Sequence, residues 1–397
     1  MSRRSLLLVW SAGVAAALGG CATAPPPDLS TASDKIGCET ASASIAFDFE
    51  TAPNSTCAIL GEREFAILVA PEHAPPINPS PWYTFRYAAQ GDEGVSVRLD
   101  YVGAKHRYPP KLVSGPTTMA IPVEVAEDGS SAQLRLAPGT GIVAAQETFD
   151  LARHALLLDR LAALPQAERI ELGRSLDGHP ISAVRFGDPN AASLVILLGR
   201  QHPPEVSGAV AMEAFLQGLA DEIEAGSLSD SSIQFLAVPL LNPDGVARGH
   251  WRANRGGEDL NRDWGDFSQP ETRAVKQWLD ALPRSIRPAA MLDFHSTGRN
   301  LFYVQGEDET DDAEEKFLGD WLGSAQAELP GYPFLVERRN ANPGSGTSKN
   351  WFHRTYDIPA YTYEVGDETD RAAIRRAASL LAQSFLLTIQ DFTNPSH

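Results

Sequence analysis

Between residues 43 and 149 the apolar positions come in short, mostly alternating runs, at 43–49, 65–69, 82–87, 95–99 and 119–125. Alternation places the apolar side chains of a strand on one face. Gly and Pro clusters separate the runs, and many short strands at near-even spacing predict a small antiparallel β-sandwich. The rhythm changes at Thr148. Residues 149–164 carry Leu and Ala at helical spacing. Continuous apolar runs at 193–198, 235–241, 289–294 and 360–365 then read as buried strands. Helical patterns lie at 207–223, 269–282 and 370–392, with Pro270 suited to a first helical turn. Strands alternating with helices predict an α/β unit, a mixed central sheet flanked by helices.

The first 21 residues stand outside this pattern. Arg3 and Arg4 precede an apolar stretch from Leu6 to Leu18, too short for a comfortable permanent membrane span. The stretch ends in Leu18-Gly19-Gly20-Cys21, which looks like a bacterial lipobox with Cys21 as the lipidated residue. Ser2-Arg3-Arg4 also resembles a twin-arginine export signal. The expected division is therefore a leader at 1–21, a Pro- and Ser-rich linker at 22–40, the sandwich at 41–148 and the α/β unit at 149–397. The expected location is the bacterial periplasm, lipid-anchored, with Ala22 favouring outer-membrane sorting. An oxidising compartment would permit a disulfide between Cys38 and Cys57, and two free thiols are the alternative. The net charge of −18 excludes a nucleic-acid partner, which requires a basic face.

Candidate chemistry gathers at strand ends. Past the first buried strand stands His202-Pro203-Pro204-Glu205, an imidazole and a carboxylate able to turn toward one point. Open α/β sheets bind ligands at such carboxyl ends. Another strand ends in Asp293-Phe294-His295-Ser296. Two His and one Glu form a ligand set for a catalytic zinc with an open position. Glu364 lies alone in the apolar run 361–365, costly there unless paired or functional. Between these lies a loop dense in amide and guanidinium groups, with Asn242-Pro243-Asp244-Gly245, Arg252 and Asp259-Leu260-Asn261-Arg262. His73 and His106 adjoin loop signals and are expected on the surface.

In this order the motifs, spanning residues 148–392, resemble the carboxypeptidase A family of zinc metallocarboxypeptidases. The resemblance implies one zinc ion held by His202, Glu205 and His295, and Glu364 as general base and acid. It implies that Arg252 stabilises the oxyanion, that Asn261 and Arg262 hold the C-terminal carboxylate of a peptide substrate, and that Asp259 orients a ligand imidazole, His202. The sandwich segments at 81–86, 108–111 and 139–149 look like the domain preceding the catalytic unit in the cytosolic-carboxypeptidase branch, whose members often remove glutamate. At the position that lies at the base of the terminal side-chain pocket in this family stands Lys349, which implies an acidic terminal residue. Two departures concern substrate contacts. Pro204 replaces an Arg of the pancreatic-type enzymes, and Asn342 stands where they carry a mobile Tyr. Alternatives are a murein-peptide hydrolase acting at a diamino acid with the same zinc site, and a non-catalytic peptide-binding protein of this fold.

Overall fold

The computed structural model describes residues 37–114, 117–227, 233–338 and 345–394. The leader, Cys21, much of the linker and Asn342 lie outside the described residues. Among the described residues, no helix is long and apolar enough to cross a membrane.

Eleven strands build the N-terminal part: β1 (Cys38–Glu39), β2 (Ala43–Ala46), β3 (Thr56–Gly61), β4 (Glu64–Val69), β5 (Thr84–Ala89), β6 (Val95–Tyr101), β7 (Lys111–Ser114), β8 (Thr117–Ala120), β9 (Val123–Val125), β10 (Ser131–Leu136) and β11 (Gly139–Ala144). They form a six-stranded sheet, β1-β2-β5-β11-β7-β8, and a five-stranded sheet, β3-β4-β6-β10-β9. Alternating residues such as Val95, Val97 and Leu99 bury their side chains in one shared core. The run expected as one strand at 119–125 is split at Pro122 into β8 and β9, which belong to different sheets. Proline has no N–H for the ladder, so a chain passing through it is free to change sheets there. One pairing departs from the antiparallel expectation, since β4 runs parallel to β6. A parallel pair needs a crossover, and β5, lying in the other sheet, provides it. Cys38 and Cys57 are disulfide-bonded.

The C-terminal part follows as α1 (Leu151–Ala162), β12 (Glu168–Arg174), β13 (Pro180–Gly187), β14 (Ser193–Gly199), α2 (Val206–Glu224), β15 (Ile233–Val238), α3 (Pro243–Arg248), α4 (Pro270–Asp280), β16 (Arg287–Thr297), β17 (Leu301–Val304), α5 (Asp312–Leu318), α6 (Ser324–Glu328), β18 (Leu335–Arg338), α7 (Ser348–Tyr356), β19 (Ala360–Gly366) and α8 (Arg371–Thr393). Asp150 caps α1 by accepting from the Arg153 N–H, and Pro270 does open α4. The eight strands form one mixed sheet in the order β12-β13-β15-β14-β16-β19-β17-β18. Its middle strands β15, β14, β16 and β19 are mutually parallel.

Such strands are buried on both faces, as β14 shows. Val195 and Leu197 join the core shared with α1, α2 and α8, while Leu194, Ile196 and Leu198 join the core shared with α4 and α7. Parallel pairing brings the carboxyl ends of β14, β16 and β19 side by side. His295 on β16 is in register with Glu364 on β19. The amino end of α2 is pinned over these ends. Ser207 Oγ donates to Val365 O and the Gly208 N–H donates to Ser296 Oγ at 2.8 Å. A side chain at Gly208 would meet the His295 carbonyl at 2.5 Å, so only glycine lets α2 lie this close.

The sandwich and the α/β layers belong to one compact unit. Trp251 and Ala253, from the loop after α3, are members of the sandwich core.

Candidate active site

His202 follows β14 in a turn whose backbone is left-handed at Arg200, with φ 53°. Glu205 occupies the cap position of α2 but makes no side-chain cap bond. Its two oxygens go instead to the imidazoles, Oε1 to His202 Nδ1 and Oε2 to His295 Nδ1, both at 2.8 Å. One acceptor per ligand histidine is thus traded for a missing cap worth about 1 kcal/mol. One ligand atom from each of His202, Glu205 and His295 lies within 4.8 Å of the others.

Each histidine turns its other nitrogen to a carboxylate. His202 Nε2 lies 2.9 Å from Asp259 Oδ1, and His295 Nε2 lies 2.9 Å from Asp293 Oδ2. These contacts fix the ring orientations and leave both Nδ1 atoms facing the same point. Asp259 is itself held by Arg252 Nε at 2.7 Å and by the Asn261 N–H at 2.9 Å. Asp293 accepts from Gln201 and Ser348 side chains.

The electrostatics are those of a cation site. Burial opposes ionisation of Glu205, yet the two imidazoles hold its carboxyl well below the usual range. Burial also disfavours protonation of His295, but Asp293 and Glu205 raise it well above the ordinary histidine value. Three carboxylates surround the two imidazoles in this buried pocket, and one of them, Asp259, is also paired with Arg252. Two imidazole nitrogens and one carboxylate converging there, with each ring's second nitrogen braced by an acid, fit a zinc ion with an open position.

Glu364 stands beside this cluster with one oxygen, Oε2, buried and without a partner among the described residues. Burial pushes its carboxyl up to about 7; His295 pulls it back, and Glu205 pushes it up further. All of these groups border one cavity of about 310 Å³, shared with Arg252, Asn261, Arg262 and Lys349. Asn261 Oδ1 accepts the Ser348 N–H at 3.0 Å, and its amide nitrogen lies 3.3 Å from His295 Nε2. Arg262 Nη1 donates to the backbone carbonyl of Asn261 at 2.6 Å, which holds the guanidinium beside Asn261 at the cavity edge. Lys349 is 5% exposed, and its Nζ donates to Gln305 Oε1 at 2.7 Å. Burial pulls its ammonium down to about 8.

With this arrangement in view, comparison with known proteins is decisive for the family. Residues 155–393 match the model of the peptidase M14 family, zinc carboxypeptidase. The chain belongs to the zinc carboxypeptidase family. It is 37% identical over 117 residues to human cytosolic carboxypeptidase 1, covering 27% of this chain and 9% of that protein. It is 28% identical over 155 residues to zebrafish (Danio rerio) cytosolic carboxypeptidase 2, covering 36% of this chain and 22% of that protein. An uncharacterised protein of Zymomonas mobilis is 33% identical over 136 residues, 33% of this chain and 35% of the relative. The chain thus matches about a third or less of these relatives' lengths. Its fold extends further than its sequence likeness. The metallo-carboxypeptidase of Burkholderia cenocepacia superposes with TM-score 0.71 at 20% identity over 87% of this chain and 99% of that one. The Pseudomonas aeruginosa metallo-carboxypeptidase superposes with TM-score 0.69 at 20% identity over 88% and 99%. Both alignments take in the sandwich as well as the zinc carboxypeptidase layers, since the family model alone begins at residue 155.

Several residues escape a reading of motifs. Asp293 precedes His295 by two, and residues two apart on a strand share a face, so its pairing was readable in principle. No such signal marks the sandwich's own contributions. Asn78, Arg107 and Tyr108 border the same cavity. Arg107 reaches Asp367, just past β19, through Nε at 2.9 Å and Nη2 at 2.6 Å. Glu72 accepts the backbone N–H groups of Trp251 at 2.8 Å, Arg252 at 3.1 Å and Ala253 at 2.8 Å. His73 and His106, expected on the surface, are half-buried; His106 Nδ1 lies 2.8 Å from the Tyr101 hydroxyl.

Proposed function

We propose that this chain is a zinc-dependent metallocarboxypeptidase that releases C-terminal residues, with a preference for acidic ones, from peptides bearing a free carboxylate. The observation that carries the reading is the convergence of His202, Glu205 and His295 beside the in-register Glu364, at one cavity. His202, Glu205 and His295 would hold one zinc ion, which would supply Lewis acidity and make water a stronger acid at the site. Glu364 would act as general base and then acid, taking a proton from the attacking water and passing it to the leaving amine; a raised carboxyl pKa suits a group that must both accept and release a proton. Arg252, braced by Asp259, offers its guanidinium to the oxyanion of the tetrahedral intermediate. The Asn261–Arg262 edge receives the terminal carboxylate in a charge-assisted contact.

The acidic preference rests on Lys349, a buried cation lining the same cavity. A buried ammonium gains most from a carboxylate partner and rejects a cation. The extra carboxylate of a diamino acid would meet the same lysine, which keeps murein peptides within the substrate class. The place of action is the periplasm, with the chain anchored through lipid on Cys21, at the outer membrane; the lipobox-like leader supports this, as does the Cys38–Cys57 disulfide, a bond that persists in oxidising compartments.

The test is release of the last residue from N-blocked peptides ending in Glu, Phe, Lys or a diamino acid, with zinc and after chelation. Zinc-dependent release, fastest from Glu, is the expected result. Fastest release of Phe or Lys overturns the acidic preference, and zinc-replete folded protein inactive on every peptide overturns the activity. Fastest release at the diamino acid moves the substrate class to the cell wall.

A further inference from the structure

Beside the turn that carries His202 lies a second, much smaller cavity, lined by both the sandwich and the α/β layers. It measures about 20 Å³, and its wall includes Arg200 at the end of β14, Trp82 and Thr84 of the sandwich, Glu147, Phe149 and Pro203. Arg200 is 3% exposed and Trp82 is 7% exposed. The Arg200 Nη2 donates to the Pro203 carbonyl at 2.6 Å. Its Nε and Nη1, and the Trp82 indole Nε1, have no hydrogen-bond partner among the described residues.

These three buried groups are all donors, and one of their carriers is a full positive charge. A buried unpaired donor costs about 1–3 kcal/mol and an uncompensated buried charge costs more. The carboxylates whose charge acts on Arg200, namely Glu205, Glu147 and Asp150, are committed elsewhere, Glu205 to both imidazoles and Asp150 to the Arg153 N–H. Glu147 is gripped by Arg371, through Nε at 2.6 Å and Nη2 at 2.9 Å. The Phe149 ring, 5.6 Å from the guanidinium carbon, offers a face rather than a charge. A single water would take hydrogen bonds but leave the charge unbalanced. A volume of about 20 Å³ admits one water-sized body, since roughly 10–15 Å³ is the minimum for one. A monatomic anion supplies the missing charge within a space of this size.

We propose that this cavity binds a single chloride-sized monovalent anion, held by Arg200 and Trp82, and that the anion locks the β-sandwich to the turn that presents His202. The lock follows from connectivity. Arg200 lies two residues before His202, and its carbonyl accepts the Asn242 N–H at 3.1 Å, while Trp82 belongs to the sandwich core. An anion bridging the two side chains joins both parts at one point. It also offsets the strain of the left-handed backbone at Arg200, a conformation that costs a non-glycine residue about 1 kcal/mol or more.

Two measurements on the full chain test this. Crystals soaked in sodium bromide are expected to show an anomalous bromine peak within hydrogen-bonding reach of Arg200 Nε or Nη1 and Trp82 Nε1. Melting temperature is expected to rise saturably with chloride or bromide at fixed ionic strength, and to stay flat when gluconate or sulfate replaces them. Trp82→Phe, which removes one donor and keeps the ring, is expected to require about tenfold more chloride for the same rise. Arg200→Gln abolishes the halide response if it folds; if it does not, Trp82→Phe and the bromide map still decide. A bromide map without a peak at Arg200, or equal stabilisation by chloride and gluconate, overturns the proposal. The readouts are independent of zinc and of turnover, so they stand apart from the peptidase reading.

Discussion

The cleft has two unlike walls. One is made where β14, β16 and β19 end, and holds the proposed metal ligands, Glu364 and the Asn261–Arg262 edge. The other comes from a separate set of sheets, which send in Asn78, Arg107 and Tyr108 and grip the Arg252 loop through Glu72. On the first wall the proposed metal ligands and Glu364 stand at or just past the ends of neighbouring parallel strands, where the sheet brings them together whatever their separation in the chain. On the second, every contact joins residues far apart in the chain: Glu72 with Arg252, Arg107 with Asp367, and Tyr83, whose hydroxyl donates to the Tyr108 carbonyl at 2.6 Å. The first wall holds the residues proposed to carry the chemistry, and the second holds the backbone of the loop bearing Arg252.

The sharpest way to break this division is Glu364→Gln, which keeps shape and removes the proposed base. Turnover is expected to fall by about 10³-fold or more while zinc content is unchanged, with kcat and bound metal measured on the same preparation. Retained turnover would remove Glu364 from the first wall's chemistry. Asp293→Ala should act on metal instead, weakening zinc affinity by about 10–100-fold in competition with a chelator.

Glu72→Ala probes the second wall. Three backbone donors lose one carboxylate, and the loop bearing Arg252 is freed. A loss of about 10–100-fold in kcat/KM is expected with zinc affinity unaltered, because misplacement of a distant group by about 1 Å costs on that scale. Glu72→Gln, which keeps one acceptor, should recover part of it. A drop in zinc affinity equal to that in activity would merge the two walls into one.

A smaller effect concerns Lys349. With its ammonium pulled down to about 8 by burial, the cation is present below that pH and lost above it. The ratio of kcat/KM for Glu-ended over Phe-ended peptides should therefore fall as pH rises through about 8, and should be flat in Lys349→Met. Using a ratio cancels the titration of Glu364, which both substrates share. For stability the sign is opposite. Folding holds Lys349 below its unfolded value, so wild type should gain stability between about pH 8 and 10.5, a gain absent in the Met variant.

The smallest catalytic effect is expected at Cys57→Ala. Opening the Cys38–Cys57 loop, with a sequence separation of 19, should cost about 3 kcal/mol of unfolding free energy by denaturant titration and leave kcat nearly unchanged.

How much of this was legible beforehand follows the same division. The buried parallel strands announce themselves as apolar runs, and His202, Glu205, His295 and Glu364 stand at or beside their ends, where strand topology dictates convergence. Asp293 was hidden only because an Asp inside an apolar run looks like any other polar residue until its neighbour two positions on is a ligand. Glu72 and Arg107 were not legible at all. Their partners lie 180 and 260 residues away, and neither composition nor periodicity encodes such pairings. Pro122 was visible, but an apolar run with one proline reads as a single strand until the two sheets are known.

The register that sets His295 opposite Glu364 has a consequence for anyone altering this protein. Neighbouring strands sit about 4.8 Å apart because their backbones are hydrogen-bonded, and no side-chain replacement changes that length. The two groups therefore share a fixed ruler made of main chain. Walls of the cleft can be remodelled for a new substrate, at Lys349 or at Arg107, without resetting the gap between base and metal site. Whatever variety of substrates this scaffold is asked to serve, that one dimension is inherited unchanged.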